Sequence, residues 1–162
     1  MTLNRMLPLL LVVMIASVLV TSCGEKSGAG TAVDENAAAH QFGQEIDVQE
    51  PLNRLAVSQS VKVPVSVRNT SNFTWRSSGD HPVRFAYHWF DKDGRKIVHD
   101  GERTLLAEDL PAGATAKLMA TVIAPSSPGE YTLRLTFVQE GIAWFYEKGA
   151  KPVEIEVRVE AR

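Results

Sequence analysis

The chain has 162 residues, with 17 Lys+Arg against 19 Asp+Glu and a formal charge of −2. A balance this even excludes nucleic acid, or an anionic surface, as a partner recruited by charge. Cys23 is the only cysteine, so no intrachain disulfide is possible; the length suits one domain held by its apolar core.

The first element lies at the N-terminus. Arg5 and the free amino group make a short positive region, and Met6 to Val20 is an apolar run of 15 residues interrupted only by Pro8 and Ser17. A permanent transmembrane helix needs about 20 apolar residues, so residues 1–22 read as a secretory signal peptide. Thr21 and Ser22 supply the small residues of a cleavage site. The tetrapeptide Val20-Thr21-Ser22-Cys23 resembles the lipobox of bacterial lipoproteins. That resemblance implies cleavage before Cys23, a diacylglycerol thioether on its sulfur, and acylation of the new amino group. One acyl chain binds a membrane marginally and two or more hold it stably. In the same family an aspartate after the cysteine signals inner-membrane retention. Gly24 stands there instead, so the expected location is the bacterial cell envelope, with the outer membrane favoured where there is one.

Cleavage removes one basic residue, Arg5, and leaves 140 residues with 16 basic against 19 acidic side chains, a formal charge of −3. Residues 23–44 read as the lipidated cysteine and a flexible linker, GEKSGAGTAVDENAAAHQFGQ, with Val33 and Phe42 its only sizeable apolar side chains. Such a segment buries too little surface to offset its ordering entropy. As a free chain it spans roughly 25 Å r.m.s.. Residues 34–40 offer one helical turn, too short to persist alone.

From Glu45 to Arg162 the pattern has period two. Val61, Val63, Val65 and Val67 alternate with Lys62, Pro64, Ser66 and Arg68; Val83, Phe85, Tyr87 and Trp89 alternate with Arg84, Ala86, His88 and Phe90. The same alternation recurs over 131–138 and 153–160. Alternation of this kind predicts half-buried strands. Lys117–Ala124 is a further strand, and shorter ones are predicted at Ile46–Gln49, Lys96–His99, Arg103–Leu106 and Ile142–Tyr146. Asp91-Lys92-Asp93-Gly94 is a hairpin turn, and turns fall again at 110–113 and 125–129. No segment shows helical period. The fold class is therefore all-β, a β-sandwich of about 7–9 short strands over residues 45–162. Tyr131, just after Pro128-Gly129-Glu130, resembles the tyrosine corner of immunoglobulin-like sandwiches, and Trp89 takes the place of their core tryptophan.

Several phrases recur in order: Val67-Arg68-Asn69-Thr70-Ser71 with Thr74-Trp75, Tyr87-His88-Trp89 before the 91–94 turn, Leu110-Pro111-Ala112-Gly113, Pro128-Gly129-Glu130-Tyr131, and Val138-Gln139-Glu140-Gly141 with Trp144-Phe145. Residues 55–150 thus resemble the FW (four-tryptophan) immunoglobulin-like domain, and β-sandwich modules attached to bacterial glycosyltransferases and polysaccharide exporters. Three tryptophans stand where the class has four. The resemblance implies a binding or spacer module without chemistry of its own.

The residues agree with that expectation. The serines lack a glycine-elbow context, and there is no phosphate loop. Asp91-Lys92-Asp93-Gly94 lacks the third ligand and the distant glutamate of a calcium loop. Of the four histidines, His40 falls in the linker, His81 in a loop, and His88 and His99 on neighbouring strands, where they read as solvated side chains rather than a metal pair. No enzyme and no cofactor is expected. Period two puts Trp144 and Tyr146 on one face of their strand and Phe145 on the other, so one set must leave the core. Trp75, Trp144 and Arg103 are the candidate ligand-binding residues: two large aromatics outside the clearest core stripes, and a guanidinium suited to bidentate bonding. Two uses remain open: a protein-interaction or assembly module with an envelope protein as partner, or a module for a cell-surface glycan.

Overall fold

The computed structural model describes residues 39–50 and 52–162. The signal peptide, Cys23, and the linker up to residue 38, including most of the helical turn read at 34–40, lie outside the described residues.

Among the described residues ten strands form two sheets. They are β1 (Gln44–Val48), β2 (Arg54–Ala56), β3 (Ser60–Asn69), β4 (Val83–Asp91), β5 (Lys96–Val98), β6 (Thr104–Leu105), β7 (Thr115–Ile123), β8 (Gly129–Gln139), β9 (Ala143–Trp144) and β10 (Val153–Glu160). The smaller sheet has the order β1-β3-β7. The larger has β2-β10-β8-β4-β5, with β6 also on β4 and β9 on β8. The chain changes sheet at each connection from β1 to β4, and again between β6 and β7 and between β7 and β8. This is an immunoglobulin-like β-sandwich.

The alternation decides which side chains meet. Val63, Val65 and Val67 of β3, Phe85, Tyr87 and Trp89 of β4, and Leu133, Leu135 and Phe137 of β8 all point inward and are buried. Each such side chain contributes about 1.5–3 kcal/mol by leaving water. Two polar handles tie the sheets together across that core. The Trp89 Nε1–H donates to the Ile123 carbonyl at 2.9 Å, and the Ile123 N–H donates to the Tyr87 hydroxyl at 3.0 Å. The Tyr131 hydroxyl donates to the Ser127 carbonyl at 3.0 Å, closing the tyrosine corner.

Three features depart from the sequence reading. β2 was not expected; it runs parallel to β10, with Arg54 opposite Arg158, and three residues are too few to display a period. The strand read over Ile142–Tyr146 stops at Trp144, and Phe145–Lys148 is a 3-10 turn that ends at Gly149, φ 90°. Residues ahead of Glu45 also join the sandwich. Phe42 meets Phe73 and Phe145 edge-on at 5.2 and 5.0 Å, and His40 stacks on Phe73 at 4.5 Å. Gln44 accepts the Phe137 N–H at 2.9 Å and donates to the Lys151 carbonyl at 2.9 Å, filling the ladder of β8 where β10 has not begun.

Candidate functional site

The outer face of the larger sheet carries the polar cluster. Arg84, Ala86, His88 and Phe90 of β4 face outward beside Arg134, Thr136 and Val138 of β8, with His88 opposite Arg134 and Ala86 opposite Thr136. His88 read as solvated, and Thr136 lies on the same outward face. Instead both are fully buried: Trp144 of β9 and Tyr146 of the 3-10 turn fold back over His88, and the Gln44 amide bonds the Thr136 hydroxyl at 3.1 Å. The Trp144 ring lies 4.2 Å from the His88 ring, Tyr146 stands perpendicular at 5.5 Å, and His99 and Phe90 complete the enclosure at 5.9 and 6.3 Å. The Trp144–Tyr146 pair is thus the one that leaves the core, while Phe145 packs inside against Trp75 and Phe137.

Neither ring nitrogen of His88 has a hydrogen-bond partner. Burial pulls its pKa from 6.5 down to about 4; the Lys96 ammonium adds to the shift, as do His99 and Arg134, and only a nearby backbone group of His99 opposes it. His88 is therefore neutral near pH 7 and shut off from solvent, which does not suit a proton shuttle. Among the described residues no group of three or more His, Cys, Asp or Glu side chains converges to hold a metal.

Cations frame the cluster. The Arg134 guanidinium lies 4.3 Å from the Phe90 ring and pairs with Glu154 at 2.6 Å. Lys96 donates to the Tyr146 hydroxyl at 3.1 Å and sits 5.5 Å from that ring. Arg103 lies 4.8 Å from the Trp144 ring. Its Nε donates to Glu140 at 2.9 Å, Nη1 to the Gly101 carbonyl at 2.8 Å, and Nη2 to Asp100 at 3.0 Å. The bond from Arg103 holds the Asp100 carboxyl below its ordinary range.

Of the three candidate residues, Arg103 and Trp144 come together and Trp75 does not join them. Arg103 directs its donors to partners within the protein, so the free fork expected of it is already engaged. Trp144 is half-buried, with His88 and Arg103 both at its ring. Trp75 is fully buried: its Nε1–H donates to Ser71 Oγ at 3.0 Å, and its ring lies 4.3 Å from Phe137. It was singled out because it lies in a polar connector outside the clearest core stripes. Asn69, itself buried, ties that connector inward by donating to the Phe73 and Leu110 carbonyls at 2.8 and 2.9 Å, while Trp75 and Leu110 exchange backbone bonds.

A second surface escaped the sequence reading. The outer face of the smaller sheet presents Met119, 55% exposed, opposite Pro64, with Ile123 further along β7; Leu105 of the neighbouring β6 is 61% exposed. A groove of ≈ 260 Å³ runs along Met119, Pro64, Ser66 and Lys117 to Gln49. The signal was present in KLMATVIA, whose two faces are both rather apolar, unlike a strand with one solvated side.

No protein-family model matches the chain, and no curated protein does. Among solved structures, the CARDB domain of a Pyrococcus furiosus protein, crystallised in complex with di-metal ions, is 14% identical over 75% of this chain and 89% of its own, with a TM-score of 0.44. A Listeria innocua β-glucosidase in complex with glucose is 16% identical over 73% of this chain, TM-score 0.45, and the match spans only 16% of the glucosidase. The sporulation control protein Spo0M of Bacillus subtilis is 14% identical over 75% of this chain and 50% of its own, TM-score 0.39.

Proposed function

We propose that the chain is an envelope lipoprotein, anchored through lipid on Cys23, whose β-sandwich is a non-catalytic protein-interaction or assembly module. One observation favours a protein partner over a sugar: the exposed large side chains are aliphatic, while the aromatics are taken up internally. Leu105, Met119 and Ile123 are exposed, whereas Trp75 and Trp89 are buried and Trp144 is packed by His88 and Arg103. Sugar recognition needs a free aromatic face, and protein contacts use apolar patches with a polar rim. The membrane reading rests on the sequence around Cys23; no described helix is long and apolar enough to cross a membrane.

Two measurements test this. Cys23→Ser should release the protein from the membrane fraction or leave uncleaved precursor; wild-type fractionation with normal processing overturns the anchor. Photo-crosslinking in cells from position 119, compared with position 144, tests the module. A discrete protein adduct at 119 supports it. A glycan-array signal for the full chain that Trp144→Ala abolishes without unfolding the protein supports the glycan reading instead.

A further inference from the structure

The strand β7 has one complete neighbour. Its register with β3 runs unbroken from Ile123 opposite Ser60 to Thr115 opposite Arg68. The amides of Thr121 and Ile123 point away from β3, to Thr104 Oγ1 at 3.1 Å and the Tyr87 hydroxyl at 3.0 Å. Strand geometry therefore directs the N–H and C=O groups of Lys117 and Met119 to that same side. β6, two residues long, does not extend that far, and among the described residues no backbone partner meets them there. The edge is closed at one end by Thr104, Tyr87 and Trp89 and open over residues 115–119.

An open edge is a template for an added strand. Its side chains decide which strand fits. Lys117 is exposed beside the edge and forms no ion pair with a described residue; Lys62 is alike, its ammonium bonded to Thr121 Oγ1 at 2.5 Å. Between the two lysines lie Met119 and Pro64, the apolar wall of the ≈ 260 Å³ groove. Two copies of β7 laid antiparallel about Lys117 would set like charges opposite one another, which destabilises pairing. An acidic strand meets the opposite condition. The sheet already holds one such strand: Asp47 of β1, Ser66 of β3 and Lys117 of β7 lie in one row across its outer face. There the acid sits two strands away from the lysine, too far to neutralise it.

We propose that the β7 edge at residues 115–119 receives an extended acidic segment of a partner protein by strand addition. Main-chain bonds form to Lys117 and Met119, a carboxylate lies beside Lys117, and an apolar side chain packs on Met119 and Pro64. This rests on the interaction-module reading and names its surface.

The test uses the full chain in detergent micelles and fluorescence anisotropy with short labelled peptides, one alternating Glu and Val, the other Lys and Val. The acidic peptide should bind saturably below about 1 mM, and the basic one should not. Lys117→Glu should weaken the acidic peptide by about tenfold or more and let the basic one bind. Met119→Pro removes an edge donor while leaving the bonds to β3 intact, and should also weaken the acidic peptide by about tenfold. Circular dichroism checks that both variants remain folded. Absence of saturable binding, or binding indifferent to both substitutions, overturns the proposal. So does a concentration-dependent dimer that excludes the peptide, which would assign the edge to a second copy. A protein adduct formed in cells from Ile97 or Ile142, with no peptide binding at β7, would leave the module reading standing and move its surface elsewhere.

Discussion

His88 offers the sharpest test of the packing on the larger sheet. It is fully buried with both ring nitrogens unpaired, and its pKa falls from 6.5 to about 4. In the unfolded chain the ring takes up a proton near pH 6.5; in the folded protein it resists until about pH 4. Stability from this residue is thus fully present above pH 6.5 and is lost progressively as pH falls toward 4. At 1.36 kcal/mol per pKa unit, the whole loss is about 3 kcal/mol. His88→Phe keeps a ring of similar size beneath Trp144 and removes two unpaired polar atoms, which should raise stability at neutral pH by about 1–3 kcal/mol. It should also flatten the acid slope. The measurement is the urea midpoint of wild type and variant from about pH 7 to about pH 4.5. Asp91, Asp100 and Asp109 are held below their ordinary value of 3.8, so their own loss falls below this window. Parallel pH curves for the two proteins would refute the enclosed, neutral histidine.

Other substitutions probe other joints. Trp75→Ala should cost about 3–5 kcal/mol in chemical denaturation, as a buried core deletion does, and not behave as a surface change. Gly101→Ala places a Cβ 2.5 Å from the Tyr87 ring and should lower stability by about 1–3 kcal/mol through overpacking; a neutral thermal shift would contradict that approach. Tyr131→Phe loses only the bond to Ser127 and should cost about 1 kcal/mol. Arg103→Lys keeps the charge but not the planar fork shared among Asp100, Gly101 and Glu140. The Asp100 carboxyl should then titrate at higher pH by NMR, and an unchanged titration would show that Arg103 does not set it.

The strands were legible wherever one face meets the core and the other meets water, as in Val61–Val67 and Val153–Val159. β2 and the 3-10 turn at Phe145–Lys148 were not, because a segment of three or four residues carries no period. The site was half legible. Arg103 and Trp144 were singled out and do meet. His88 was read as solvated because alternation gives the face of a strand and cannot tell what later chain will cover it. Trp75 was singled out because it lies outside the clearest core stripes, yet the polarity of its connector, in Asn69 and Ser71, is what binds it inward.

Composition and alternation alone determined an all-β chain without an intrachain disulfide, an apolar run from Met6 to Val20 ahead of the single cysteine, and two inward stripes rich in valine and aromatic residues. These follow from local rules: period two, turn chemistry, and the length of an apolar run. Tertiary structure decided what covers what. Trp144 lies on His88 because β9 turns back along β8, and Phe42 and Gln44 join the sandwich because β8 outruns β10. The open edge of β7 exists because β6 is two residues long and pairs with β4. Each is a contact between residues distant in sequence, set by strand order and register, and no local pattern encodes it.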